Sequence, residues 1–286
     1  MNRAPLLLLF VAVLAFTISC KKEGNKSPDQ VINIIPSPNK ILKRSGSIQY
    51  DKNFRVIADV SDSSSSIIAT YLVNELEEIF NTEILISDLF STRKYSQSIQ
   101  LEILNDVQSG QELESYKLDI TSNQIKISAS SPIGIYYGIQ SLLQILDQSY
   151  LNDISFTIPK MIIKDTPQLS VRGVLVTQSF LKEIIESGLV DHLSKLKLNS
   201  IYVSNYSSLI DTLGTAYPYL KFKDGQTLAD NIPVISIDLD NAISQDLSQL
   251  LSGNKINGLV LKISSSSTGD FEKEIELFAE SCWSNN

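Results

Sequence analysis

The chain has 286 residues, of which 43% are hydrophobic and 20% are charged, so it can bury a core and has room for about two domains. Its formal net charge of -8 leaves no basic surface to neutralise phosphates, which argues against a nucleic-acid partner. The sequence contains one histidine and two cysteines, too few for a transition-metal cluster, and no glycine-rich phosphate loop. No metal and no cofactor are therefore expected.

Residues 1–20 predict a signal peptide. Arg3 precedes an apolar run over 5–18. As a helix, about 14 residues reach roughly 21 Å, which is shorter than the ~30 Å core of a bilayer. The run ends in "TISC", residues 17–20, which resembles the bacterial lipoprotein box and implies a lipid on Cys20. A plain secretory signal with an incidental Cys20 is the alternative.

The predicted lipid also indicates where in the cell the protein is expected. If Cys20 is acylated, Cys282 is the one remaining cysteine and the mature chain has no intramolecular disulfide. The polar residues 21–30 predict a flexible linker. Lys21 and Lys22 follow Cys20 at the positions where lipoproteins exported to the cell surface carry a run of acidic residues. We therefore expect a protein of the bacterial cell envelope that is anchored to a membrane and faces the periplasm.

Residues 31–162 predict an α+β domain, a sheet with two helices on one face. A Ser-Gly turn is predicted near Gly46, and a strand is predicted over 53–60. Asp62 or a following serine then begins an amphipathic helix, whose apolar residues recur at intervals of three and four. Further strands are predicted over 82–88, 98–104 and 114–130, the last being a pair with a Ser-Asn turn.

The second helix is predicted over 131–146, "SPIGIYYGIQSLLQIL". Together with the preceding strands it resembles the end of the N-terminal domain of glycoside hydrolase family 20, the β-N-acetylhexosaminidases. The stretch "IIPSPNKI", residues 34–41, resembles the opening of that domain. In the family this domain supports a catalytic barrel, so the resemblance implies that Tyr136 and Tyr137 pack in the core and do not contact sugar.

Residues 163–286 resemble parts of the family's (β/α)₈ barrel. The stretch 165–173 is similar to the barrel entry, with Gln168 where arginine is usual, 197–199 matches its "KLN", and 279–284 is similar to its end. The chain after 162 is about half the length of a complete barrel of roughly 250 residues. We expect an α/β incomplete (β/α) barrel-like domain, with the loop 216–231 spanning the deletion. Its predicted strands would be adjacent, in the parent order seven, eight, one and two: Ile232–Leu239, Ile256–Ser264, Arg172–Thr177 and Asn199–Asn205.

The residues that the resemblance implies for catalysis are absent. Residues 177–179 stand where the family has an aspartate and a substrate-binding arginine, and 202–205 replace its "HWHL". Ile263 and Ser265 replace a tryptophan and a glutamate. No Asp-Glu pair occurs in the sequence, whereas the family uses such a pair for substrate-assisted hydrolysis. No catalytic residue is therefore predicted.

Other candidate residues carry weaker signals. His192 is expected to be a packed or partly exposed helix residue, and no "GxSxG" nucleophile motif is present. Asp238 and Asp240 end a predicted strand, where barrels place catalysts, although cap roles are favoured.

Three functions fit these observations. The favoured one is a noncatalytic hexosaminidase-like lipoprotein that is associated with glycan containing N-acetylhexosamine or acts as a scaffold for an unidentified protein partner. The alternative is an active β-N-acetylhexosaminidase with a remodelled site, for which Asp238, Asp240 and Glu280 are the candidate acids. A decayed product without activity is the third.

Overall fold

The computed structural model describes residues 32–51, 53–91, 95–104, 110–151, 155–205, 213, 217, 219–229, 232–236, 258–263 and 271–283. They form a mixed α/β fold with an eight-stranded and a five-stranded sheet. Cys20, Asp238, Asp240 and Ser265 lie outside the described residues, as do the predicted signal peptide and linker. The limits of the two predicted domains stay a prediction.

The larger sheet has the strand order β1-β8-β5-β6-β4-β2-β3, and β7 pairs with β8. The helices α1 (Ser63–Phe80) and α2 (Pro132–Asp147) accompany it. The strands are β1 (Lys40–Asp51), β2 (Arg55–Ala58), β3 (Ile86–Asp88), β4 (Ser98–Ile103), β5 (Tyr116–Ile120), β6 (Gln124–Ala129), β7 (Tyr150–Leu151) and β8 (Ser155–Asp165).

Alternation of buried side chains explains how this sheet and its helices pack. In β5 and β6 every second residue is buried, so one face of the sheet forms a core. Both helices contribute buried side chains to that same core. The Asp62 side chain accepts a hydrogen bond from Ser65 N at 2.7 Å and begins α1, while Ser131 accepts from Gly134 N and begins α2. The predicted pair of helices is therefore present.

The region of the predicted Ser-Gly turn has a different structure. β1 continues through Gly46, which has a φ of +80°. The pairing of β1 with β8 shifts register between Lys43 and Ser47. Glycine adopts this left-handed conformation at little cost, so the two extra residues of β1 form a bulge and the chain does not reverse.

The smaller sheet has the order β11-β10-β9-β13-β12, and every neighbouring pair in it is parallel. Helices α3 (Gln178–Glu186) and α4 (Leu189–Lys195) follow its first strand, and α5 (Phe271–Trp283) follows its last. The strands are β9 (Val171–Thr177), β10 (Ser200–Ser204), β11 (Lys221–Asp224), β12 (Val234–Ser236) and β13 (Gly258–Lys262).

Four of these strands lie where the sequence predicts them, and β11 does not. The stretch 216–231 was expected to be a surface loop, but Lys221–Asp224 pairs with β10. Its Lys-Phe-Lys-Asp sequence suits an exposed edge, where lysines discourage pairing with another chain. The predicted single helix after β9 is also divided, because Gly188 adopts a φ of +76° between α3 and α4.

The helices pack on one face of the smaller sheet. A second core joins Val174, Ile201 and Leu261 from three strands to side chains of α3, α4 and α5. Gly173 and Tyr202 lie on the opposite face, where a Cβ at Gly173 would meet the Tyr202 ring at 3.2 Å. None of the helices in the described ranges is long and apolar enough to cross a membrane.

Candidate functional site

The carboxyl ends of the parallel strands are the first place to look for a site. In open α/β sheets, ligands bind at this edge because loops from several strands converge there. The described residues at or just beyond the strand ends here include Thr177, Ser204, Asn205, Asp224, Ser236 and Ile263. Among them Asp224 is the one carboxylate.

The polar side chains at this edge serve local structure. Thr177 Oγ1 accepts a hydrogen bond from Phe180 N at 3.2 Å and begins α3, and it lies 3.1 Å from Ser179 Oγ. Asp224 Oδ1 accepts from Gln226 N at 2.9 Å and begins a 3₁₀ turn. Thr177 and the two residues after it are exposed. Within the described part of the edge, no pair of acids converges on a cleft.

The other candidate residues from the sequence lie elsewhere. Glu280 Oε2 accepts a hydrogen bond from Ser37 N at 2.6 Å, so this acid ties α5 to the segment before β1. His192 is a partly buried residue of α4, in agreement with its expected role, and its Nε2 has no hydrogen-bond partner among the described residues. No group of three or more metal-ligating side chains occurs within the described ranges.

A buried ionic network lies at the amino ends of the parallel strands. The fully buried Arg172 side chain, on β9, pairs with Glu114 and donates to Tyr137 Oη at 3.1 Å. It also donates to Leu169 O at 2.6 Å and to Lys197 O at 3.2 Å. Each of the three side-chain nitrogens of Arg172 therefore donates to at least one acceptor, as a buried charge requires.

Lys197 is the second buried cation of the network. It precedes β10, and its Nζ lies 3.2 Å from Asp165 Oδ2 and 3.0 Å from Tyr116 Oη. Burial lowers the pKa of Lys197, while the adjacent Asp165 charge acts in the opposite direction. Asn199 accepts from Arg172 N at 3.0 Å and so connects the two neighbouring strands.

Trp283 packs between both cations. The Arg172 guanidinium lies 4.7 Å and the Lys197 ammonium 4.8 Å from its ring centre, within the range of cation–π attraction. The Tyr137 ring meets it edge to face at 5.3 Å. The neighbouring Cys282 is buried as well, and burial raises the pKa of its thiol to about 12. Such a thiol is inert at neutral pH.

The network is a joint between the two sheets. Tyr116 and Asp165 belong to the larger sheet, Tyr137 to its helix α2, and Glu114 to the 3₁₀ turn before β5. Arg172 lies on β9 of the smaller sheet, and Lys197 lies just before β10. In barrels, the amino end of the strands carries stability and the carboxyl end carries chemistry. The sequence analysis did not predict this joint. Polar residues at 172, 197 and 199, within or next to apolar strands, could have indicated it.

The first part of the chain matches a known family. Residues 31–166 match the family model described as Glycosyl hydrolase family 20, domain 2. The matching segment supplies the larger sheet, both of its helices and the acidic partners of the ionic network. No curated protein matches the chain.

Several solved structures of family 20 enzymes resemble the chain. The exo-β-N-acetylglucosaminidase of Vibrio harveyi is 22% identical, with a TM-score of 0.48 over 62% of this chain and 26% of that one. The Flavobacterium johnsoniae chitobiase is 18% identical, with a TM-score of 0.47 over 81% and 34%. The Bacteroides fragilis β-N-acetylhexosaminidase is 20% identical, with a TM-score of 0.44 over 61% and 33%. The matching part spans about a quarter to a third of these proteins.

Proposed function

We propose that this protein is a noncatalytic, lipid-anchored relative of the β-N-acetylhexosaminidases, which associates with glycan containing N-acetylhexosamine or acts as a scaffold in the cell envelope. One observation carries the proposal. The described carboxyl edge of the smaller sheet has one carboxylate, Asp224, and its side chain caps a turn. Hydrolysis by the family's route needs a general acid beside a second carboxylate.

We further propose that the smaller sheet is half of a (β/α) barrel. The order β12-β13-β9-β10 is the order seven, eight, one and two that the resemblance implies. The last strand of a closed barrel lies beside the first, so loss of the middle strands leaves these four adjacent. β11 would then be an added edge strand beside β10.

A hydrolysis assay tests the noncatalytic assignment. The purified chain should release no chromophore from a chromogenic N-acetylglucosaminide above the rate without protein, because loss of a general acid alone costs about 10²- to 10⁴-fold. Binding of N-acetylglucosamine-containing glycans on an array, without hydrolysis, supports the glycan role. Turnover that is abolished by Asp238→Asn or Asp240→Asn would instead establish the remodelled enzyme.

Lipid attachment is tested separately. The proposal expects mass spectrometry to find a diacylglyceryl group on Cys20 after expression in a bacterium, and the protein to fractionate with membranes. The Cys20→Ser variant should lack the lipid and leave the membrane fraction, because the acyl chains supply the anchoring free energy. A wild-type chain that is released unmodified would show a plain secretory signal.

A further inference from the structure

A cavity of about 400 Å³ lies between α1, α2, α4 and the residues before β11. Tyrosines from these elements form much of its wall: Tyr71, Tyr136, Tyr217 and Tyr219. The Tyr136 and Tyr219 rings stack with centres 4.5 Å apart, and Tyr71 lies 5.2 Å from Tyr136. We call this cavity the tyrosine pocket. Its volume is in the range of small-molecule sites.

The tyrosine pocket has an excess of negative charge. Glu75 and Glu78 on α1 and Asp191 on α4 line it, together with the single cation Lys195. Burial raises the pKa of Glu75, and the charges of Glu78 and Asp191 add to this effect while Lys195 opposes it. The three carboxylates and Lys195 leave the lining with a formal excess of two negative charges.

A buried acceptor without a donor adjoins the same wall. Gln140 is 1% exposed, and its Nε2 donates to Tyr71 Oη at 2.9 Å. Its Oε1 has no hydrogen-bond partner in the described part of the chain. Gln140 itself does not line the tyrosine pocket. The three carboxylates that do line it only accept hydrogen bonds, so they favour a ligand that donates and carries positive charge.

We propose that the tyrosine pocket binds a small aliphatic diamine. Three carboxylates against one ammonium leave two negative charges to be compensated, and a diamine supplies two ammonium groups. Its methylene chain can lie against the tyrosine rings, whose faces also attract the ammonium groups. A neutral ligand would leave the carboxylates uncompensated. This site is separate from the carboxyl edge of the smaller sheet and does not depend on the proposed function.

A pair of ligands of matched length tests the proposal. Isothermal titration of the full chain at low ionic strength should show binding of 1,4-diaminobutane at one site and no binding of 1,4-butanediol, which has the same chain without charge. Equal binding of both compounds, or no binding of the diamine, would overturn the proposal. Added salt should weaken the diamine complex.

Variants locate the binding. Glu75→Gln and Asp191→Asn, on two different helices, should each weaken diamine binding by about tenfold, the loss expected for one charge contact. Asp191 is exposed, so its variant should fold normally. Glu83→Gln removes an exposed charge outside the pocket and should leave the affinity unchanged. If Glu83→Gln weakens binding as much as the other two, the attraction belongs to the whole surface and the pocket is not the site.

Discussion

Arg172 and Lys197 illustrate at the residue scale how buried charges can be accommodated. Each cation has one carboxylate partner, and the Trp283 ring covers both. A buried ion pair adds little net stability, because desolvation offsets the attraction. Removing one partner is costly, since the other charge stays buried alone. The residues of this network are thus mutually dependent.

Arg172→Met should lower the free energy of unfolding by about 3–5 kcal/mol, because it leaves Glu114 without its cation. Urea unfolding measures the effect. Adding Glu114→Gln to Arg172→Met should cost less than the sum of the single changes. As a control, Lys182→Met removes an exposed partner of Glu186 and should change stability little. Equal losses in Arg172→Met and Lys182→Met would contradict the role of the network.

Glu75→Gln should stabilise the protein increasingly as the pH rises. The raised pKa of Glu75 means that the folded chain binds its proton more tightly than the unfolded chain. Its contribution to stability is complete below the unfolded pKa and is lost as the pH rises through the folded pKa. Urea midpoints of variant and wild type should therefore coincide near pH 4 and diverge toward pH 8. A difference that does not change with pH would contradict the assignment.

At the scale of elements, helix α2 depends on two glycines to approach the sheet closely. A Cβ on Gly134 would lie 2.5 Å from Ser115 O, and one on Gly138 would lie 2.5 Å from Ile127 Cγ2. Both distances are shorter than real contacts, so only glycine fits. The glycines lower helix propensity, but the packing they allow outweighs that loss.

Gly134→Ala should therefore destabilise the protein by about 1–3 kcal/mol, the usual range for overpacking. On propensity alone, the change would stabilise a helix by about 1 kcal/mol. The obstructing atom is a backbone oxygen, which cannot rotate away as a side chain can. Asn74→Ala, on the exposed face of α1, is the control and should be neutral or stabilising. Thermal unfolding distinguishes these outcomes, and a higher midpoint for Gly134→Ala would contradict the packing argument.

Predictability also differed among elements for physical reasons. Apolar runs and the family resemblance predicted the strands β9, β10, β12 and β13. β11 has one apolar residue in four, so no alternation indicated it. Apolar residues keep their helical spacing across Gly188, so the pattern did not indicate that α3 ends and α4 begins there. The ionic network was not predictable because its partners, such as Glu114 and Arg172, are far apart in sequence.

At the scale of the whole molecule, α5 connects the two cores. Trp283 belongs to the core of the larger sheet, whereas Cys282 beside it belongs to the core of the smaller sheet. Because adjacent residues serve both cores, neither sheet can lose its packing without disturbing the other. The two sheets should therefore unfold together.

Trp283 is the one tryptophan of the chain and provides a direct test. On urea titration, its fluorescence should follow the same curve as far-ultraviolet circular dichroism, as expected for a single cooperative transition. Trp283→Phe keeps an aromatic ring but offers a weaker attraction to cations, so the dichroism midpoint should fall. Separate fluorescence and dichroism transitions would show independent sheets.

The position of Trp283 has a consequence for biosynthesis. The core of the larger sheet is completed by Trp283, whereas the last strand of that sheet already ends at Asp165. While the ribosome is still making the chain, that core lacks one of its largest aromatic groups, and the buried cations lack their cover. The larger sheet should thus reach its final packing only after Trp283 has left the ribosome, although the rest of that sheet's core emerges earlier.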